Sequence, residues 1–212
     1  MKALILATTA VVGFAAPSLA GGPTLIADDP IIAAAPAPVA AVHDWSGPYV
    51  GLSYGQSRGS QATDVTNGPV YDFSSGKVPG IHLGYLMHHN NFVYGGELSY
   101  LRYNDVIMAG LPAYHMDSSL DLKGRVGLAT NRVLFYGILG YSMAKFPVDT
   151  LAVEYKPKGP SYGLGVDYAA TERLTVGLEY LSRKMDADSP NGATSEIEVN
   201  LNTVSLRVGF SF

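Results

Sequence analysis

The sequence predicts an all-β fold, an eight-stranded antiparallel transmembrane up-and-down β-barrel. Three observations predict it. Residues 202–212 alternate strictly between apolar residues (Val204, Leu206, Val208, Phe210, Phe212) and small or polar ones, a period of two that puts one strand face in hydrocarbon and the other in a polar lumen. The same alternation recurs in seven earlier segments. Short and long connections then alternate along the chain, as in barrels with tight turns at one end and longer loops at the other.

The N-terminus supplies the route to a membrane. Residues 1–20 carry one positive charge at Lys2, an apolar middle and a small-x-small end at Ser18-Leu19-Ala20, the pattern of a cleaved secretory signal. The mature chain is expected to start near Gly21. No cysteine follows that point, so lipoprotein anchoring is not expected, and with no Cys anywhere disulfide staples and soft-metal sites are removed as well. Residues 21–44 are rich in Ala and Pro without sustained periodicity, which reads as a semi-extended periplasmic linker. The barrel is expected over 45–212.

Composition excludes other classes. With 24 Gly, 14 Tyr, 7 Phe, 15% charged residues and a net charge of −4, the chain is too apolar and aromatic for a disordered or nucleic-acid-binding protein, and its slight acidity fits neither DNA nor anionic lipid as a partner. No stretch after residue 20 reaches the roughly 20 consecutive apolar residues of a membrane helix. An apolar secreted chain without such a helix points to a barrel, because only helices and closed barrels satisfy every backbone group in lipid.

The alternating segments cover approximately 46–57, 78–88, 92–103, 116–129, 132–144, 160–169, 173–184 and 202–212. Each is near the roughly 9–11 residues that a tilted strand needs to cross hydrocarbon. Tight turns are expected at His89-Asn90-Asn91, Thr130-Asn131 and Ala170-Thr171-Glu172, where turn-forming residues stand. Longer loops are expected over 58–77, 104–115, 145–159 and 185–201. With eight strands both termini fall at the short-turn end, which is expected to be periplasmic.

The faces read strand by strand. Leu120, Leu122, Val126 and Leu128 oppose Asp121, Lys123 and Arg125; Tyr162, Leu164, Val166 and Tyr168 oppose Gly163, Gly165 and Asp167. Leu174, Val176, Leu178 and Tyr180 oppose Gly177, Glu179 and Arg183, and Phe92, Tyr94, Leu98 and Tyr100 oppose Glu97 and Ser99. Ile81, Leu83 and Tyr85 oppose Gly80, His82 and Gly84. The fifth segment, from Val133, is apolar on both faces and does not declare its register. A soluble lipocalin-like barrel would reverse the faces, but a face of Gly and Ser with few charges makes a poor soluble exterior and suits a narrow lumen. Tyr49, Tyr54, Tyr85, Tyr94, Tyr103, Tyr162, Tyr168 and Tyr180 near strand ends are expected to form aromatic girdles at the interfaces.

The opening Trp45-Ser-Gly-Pro-Tyr-Val-Gly-Leu-Ser-Tyr-Gly55 after an Ala/Pro-rich leader resembles the Trp-x-Gly-x-Tyr-x-Gly start of the opacity-like, porin-family small outer-membrane proteins of Gram-negative bacteria, related to the OmpA transmembrane domain. The resemblance spans about residues 45–212. It implies an outer-membrane location and, as partners, outer-membrane lipids, lipopolysaccharide and the barrel-assembly machinery, for which the terminal Phe212 resembles the insertion signal. Unlike full-length OmpA-type chains, this sequence ends at the barrel, so a peptidoglycan-binding domain is not expected.

If the polar faces line the lumen, Glu97, Asp121, Asp167 and Glu179 meet Lys123, Arg125, Arg183 and Arg207. Charges confined there must be paired or hydrated. The plain reading is an ion-pair network filling the barrel; the functional one is a gated narrow pore. A lipid-modifying hydrolase would need a Ser/His/acid arrangement, yet His88 and His89 stand in a turn without a matching serine motif, and as sequence neighbours they point to opposite faces and make a poor metal pair. Neither a catalytic role, a cofactor nor a metal is expected. His82 reads as a lumen hydrogen-bonding residue, and Gly163-Leu-Gly165 as strand glycine without a phosphate-binding turn.

The apolar 104–114 loop reads as strand extension or packing across the barrel mouth, in preference to a contact with lipid or protein. The loop bearing Asp186, Asp188, Glu196 and Glu198 is expected to stay solvated in preference to binding divalent cations. The function expected is structural, in envelope integrity or surface interaction through the loops, with a narrow ion or solute pore as the alternative.

Overall fold

A computed structural model describes residues 43–63, 70–109, 111–148, 153–188 and 196–212. These lie in the compact unit Ala40–Phe212. The expected signal peptide and all but the last two residues of the expected linker lie outside the described residues.

Eight long strands form the wall: β1 (Gly47–Thr63), β2 (Val70–His89), β3 (Phe92–Arg102), β4 (Ser118–Thr130), β5 (Val133–Val148), β6 (Lys158–Ala169), β7 (Leu174–Asp188) and β8 (Glu196–Ser211). Each pairs antiparallel with its sequence neighbours. The ladder between β1 and β8, from Tyr49↔Ser211 to Thr63↔Ile197, closes the ring. Closure leaves no open sheet edge along the wall, the condition for a sheet in hydrocarbon.

One end of the barrel, the turn end, holds the tight hairpins, the start of β1 and the end of β8. Asn90 and Asn131 take positive φ in two of these hairpins, a conformation Asn tolerates better than most residues. In the third, the Thr171 hydroxyl accepts the Arg173 and Leu174 amides. At the opposite, loop end, the strands run further than their apolar alternation. Much of the segment expected as the first loop, 58–77, is strand, with β1 and β2 paired up to Ala62↔Val70 across a register shift between Ser57 and Gly59. The 185–201 segment is likewise largely ladder, to Asp188↔Glu196. A 20-residue strand such as β2 is roughly 65 Å long, so even at a tilt of about 45° it outreaches an apolar band roughly 25 Å tall. Beyond lipid the alternation lapses, while backbone pairing continues.

Over the segments that cross lipid the outward face is mainly apolar. Leu52, Leu122, Leu139, Leu164 and Leu206 are exposed to the surroundings, as lipid-facing side chains must be. The fifth strand's register is now declared: Phe135, Leu139, Tyr141 and Met143 face out, while Leu134, Tyr136, Ile138, Ser142, Ala144 and Phe146 are buried inside.

The lumen is filled in layers. Toward the turn end Trp45, Leu86, Val93, Ala129, Leu134 and Ala169 belong to one apolar cluster. Toward the loop end Phe73, Leu101, Val106, Met108, Met116 and Phe146 belong to another. Val106, Met108 and Met116 come from the 104–116 connection, which carries the short strands Ile107–Met108 and Leu111–His115; these three side chains pack across the mouth. The charged residues occupy the level between.

Candidate functional site

The inward face of each strand supplies the site, because one parity of residues along a strand reaches the lumen. β3 brings Glu97, β4 Asp121, Lys123 and Arg125, β6 Asp167, β7 Glu179 and Arg183, and β8 Arg207, all buried. Barrel shear sorts them into two groups.

The larger group centres on Glu97. Its carboxylate accepts Arg125 Nη1 at 3.1 Å, Arg207 Nη1 at 3.0 Å and the Tyr49 hydroxyl at 2.7 Å. Lys123 Nζ stands 2.6 Å from it, and Arg207 Nη2 also donates to it. Glu179 accepts Lys123 Nζ at 2.8 Å and Arg207 Nη1 at 2.7 Å. Asp167 accepts Arg125 Nη2 at 2.5 Å. The Tyr136 hydroxyl spans Asp167 and Glu179 at 3.4 and 3.3 Å, and its ring lies 3.7 Å beneath the Arg125 guanidinium. Three carboxylates therefore meet three cations. Such charges persist in a desolvated interior when each finds an opposite charge and its remaining hydrogen bonds are satisfied.

The smaller group is a fork. Arg183 Nε and Nη2 donate to the two oxygens of Asp121 at 3.0 and 2.7 Å, the bidentate geometry that suits guanidinium and carboxylate. Its Nη1 donates to Thr203 Oγ1 at 2.8 Å, and Ser99 Oγ donates to Asp121 at 3.4 Å.

Glycine makes room for these side chains. A Cβ on Gly165 would overlap the Tyr136 ring, and one on Gly177 would overlap the Asp167 carboxylate.

Two tyrosines expected in the girdles are instead inside. Tyr49 belongs to the Glu97 group, and Tyr103 is buried with its hydroxyl 2.9 Å from Ser119 Oγ. Position near a strand end suggested the girdle, but parity decides the side: Tyr49 alternates with Val50 and Leu52, and Tyr103 shares the parity of Glu97 and Ser99. The same parity could have found them. Tyr136 had no such signal, since β5 is apolar on both faces. Tyr54, Tyr85, Tyr94, Tyr162, Tyr168 and Tyr180 are exposed on the outer wall.

His82 is buried among the lumen side chains, and its Nδ1 has no hydrogen-bond partner. Arg125 Nε and Trp45 Nε1 are in the same condition. All three residues line one cavity of about 20 Å³, room for about one water molecule. His88 lies within β2, where its backbone N–H donates to the Ser46 hydroxyl and its ring faces Asp44 at 3.6 Å. Phe212 is exposed, edge-on to Phe210 at 5.4 Å between ring centres. Among the described residues no group of three or more His, Cys, Asp or Glu could hold a metal ion.

The chain is tied down before β1. His43 is buried edge-on against Trp45, and its backbone N–H donates to the Asn131 carbonyl at 3.2 Å. Burial pushes the His43 imidazole below its usual value, outweighing the Glu172 carboxylate 3.7 Å away. Hydrogen bonds from Ser46 hold the Asp44 carboxyl below its usual range.

Residues 31–212 match the model of the outer membrane protein beta-barrel domain. The chain belongs to that family. It is 28% identical to the 22 kDa outer membrane protein of Rhizobium leguminosarum bv. viciae over 183 residues, 83% of this chain and 82% of the relative. Among solved structures it resembles Neisserial surface protein A, with a TM-score of 0.53, 17% identity, and coverage of 79% of this chain and 98% of that one. That likeness is one of fold. The chain is thus a small bacterial outer-membrane β-barrel protein.

Proposed function

We propose that this protein is a closed structural barrel, with its turn end in the periplasm and its loop end at the cell surface, acting in envelope integrity or surface interaction. The observation that carries the reading is the Glu97 group itself. Six charged side chains are mutually paired at one level of the lumen, with apolar clusters toward both ends. In this reading the network staples five strands from within, and no catalytic chemistry is assigned to it. Lipids of the outer membrane, including lipopolysaccharide, surround the wall, and the barrel-assembly machinery receives Phe212.

The narrow-pore alternative needs a water path, and the lumen cavity near His82 and Arg125 is about 20 Å³. Planar-bilayer recording on the folded protein and an Arg207→Ala variant tests the choice. The expected result is a silent wild type. Steady conductance steps altered by the variant would replace the structural reading with a gated pore.

A further inference from the structure

We infer that residues 43–46 form a strap across the turn-end mouth of the lumen, hinged at Gly47 and released by acid while the barrel stays folded. The inference is independent of which side of the membrane the turn end faces.

The strap touches each of the three turn-end hairpins. The His43 backbone N–H donates to the carbonyl of Asn131, between β4 and β5, at 3.2 Å, and its ring stands 3.7 Å from Glu172, between β6 and β7. At the end of β2 the Trp45 N–H donates to His88 Nδ1 at 3.5 Å, and the His88 N–H donates to the Ser46 hydroxyl at 3.1 Å. In the ring order β4 and β5 lie across from β1. The chain therefore crosses the mouth before it enters the wall.

What it covers is the turn-end approach to the Glu97 group. Trp45 is buried in the turn-end apolar cluster, edge-on to His43, and lines the small cavity with Tyr49, His82, Arg125 and Arg207. Withdrawing the indole would widen that cavity toward the turn end and let water reach the two guanidinium groups.

The hold is weak for a buried segment. Residues 43–46 join no ladder. The carboxylates facing the two imidazoles, those of Glu172 and Asp44, are 75% and 77% exposed, and pairs so open to solvent contribute little. Trp45 Nε1, His43 Nδ1 and His88 Nε2 are buried without a hydrogen bond to the protein, so docking gains none from them while it takes them out of bulk solvent. Gly47 supplies the pivot. Its φ of 122° is open to glycine and rarely to other residues, and a Cβ there would meet the backbone oxygen of Phe212 no closer than 3.9 Å. Conformation, not space, requires glycine between strap and strand.

His43 is the trigger. Burial and the Arg132 guanidinium disfavour its charged form and outweigh the Glu172 and Asp44 carboxylates, which hold it below its ordinary value. Docking is therefore favoured above about 6.5 and is lost as pH falls from there through the lowered docked value. A proton on His88 Nδ1 would exchange the Trp45 N–H for the Asp44 carboxylate 3.6 Å away, which leaves the strap attached.

Trp45 is the single tryptophan, so its quenching by acrylamide in lipid vesicles reads the strap, and heat-modifiable gel mobility reads the barrel. As pH falls below 6.5 the quenching constant should rise several-fold while the folded band persists. H43N should keep Trp45 protected over the same range, and G47A should expose it at neutral pH. Thr175→Cys, on the cavity lining and the one thiol in a chain without cysteine, should react several-fold faster with a methanethiosulfonate in the G47A background at the same pH. Continued protection of Trp45 in acid, exposure only together with loss of the folded band, or an unchanged profile in H43N would overturn the acid-released strap. Equal quenching and equal thiol reactivity with and without G47A would overturn the hinge.

Discussion

The Arg125 guanidinium sits 3.7 Å from the centre of the Tyr136 ring while its own Nη2 donates to Asp167, the carboxylate that the Tyr136 hydroxyl also reaches. Cation, ring and anion thus form one closed unit across β4, β5 and β6. A cation over a ring in a desolvated setting contributes on the order of 2 kcal/mol. A double-mutant cycle with Arg125→Met and Tyr136→Leu, read by urea unfolding in lipid vesicles, should give a coupling of about that size. Additive losses would show that the stacking contributes nothing of its own.

Glu97 is the most heavily shared acceptor. Glu97→Gln removes the charge facing Lys123, Arg125 and Arg207 while preserving shape. Breaking a buried pair from one side costs about 3–5 kcal/mol. Unfolding midpoints should fall accordingly, and Trp45, the single tryptophan, reports the transition by fluorescence.

The Asp121–Arg183 fork offers a cleaner contrast. Arg183→Lys keeps the charge and loses the two-point geometry, so it should cost less than Arg183→Ala. Equal losses would mean that a positive charge without the two-point fork contributes nothing at this position.

Gly165→Val should displace Tyr136 and with it both Asp167 and Glu179. Overpacking costs about 1–3 kcal/mol. The paired variant Gly165→Val with Tyr136→Ala should recover part of the loss, which refolding yield and unfolding midpoint both measure.

Acid should loosen the segment before β1. His43 has a lowered proton affinity in the folded state, so the unfolded segment binds more protons over that interval and stability rises with pH. The contribution is present above about the ordinary value of 6.5 and is lost as pH falls from there through the lowered folded value. Amide exchange at residues 43–46 should accelerate across that window in wild type. A His43→Asn variant should lose the pH dependence.

The sidedness of the wall is legible strand by strand in the residue order alone. Period-two alternation is a local property, so Leu122 against Lys123, or Leu206 against Arg207, declares its face within a single strand. It failed where the local pattern was silent, along β5, or where another cue overrode it, at Tyr49 and Tyr103. Strand length beyond the lipid was also hidden, because ladders such as Thr63↔Ile197 continue where no alternation is required. Which acid meets which base was decided only by the tertiary structure. Ring closure fixes the shear of every strand at once, and that stagger brings Arg207 from β8 and Arg125 from β4 to the same Glu97 while leaving Asp121 to Arg183. No local pattern records a constraint that exists only when the eighth strand meets the first.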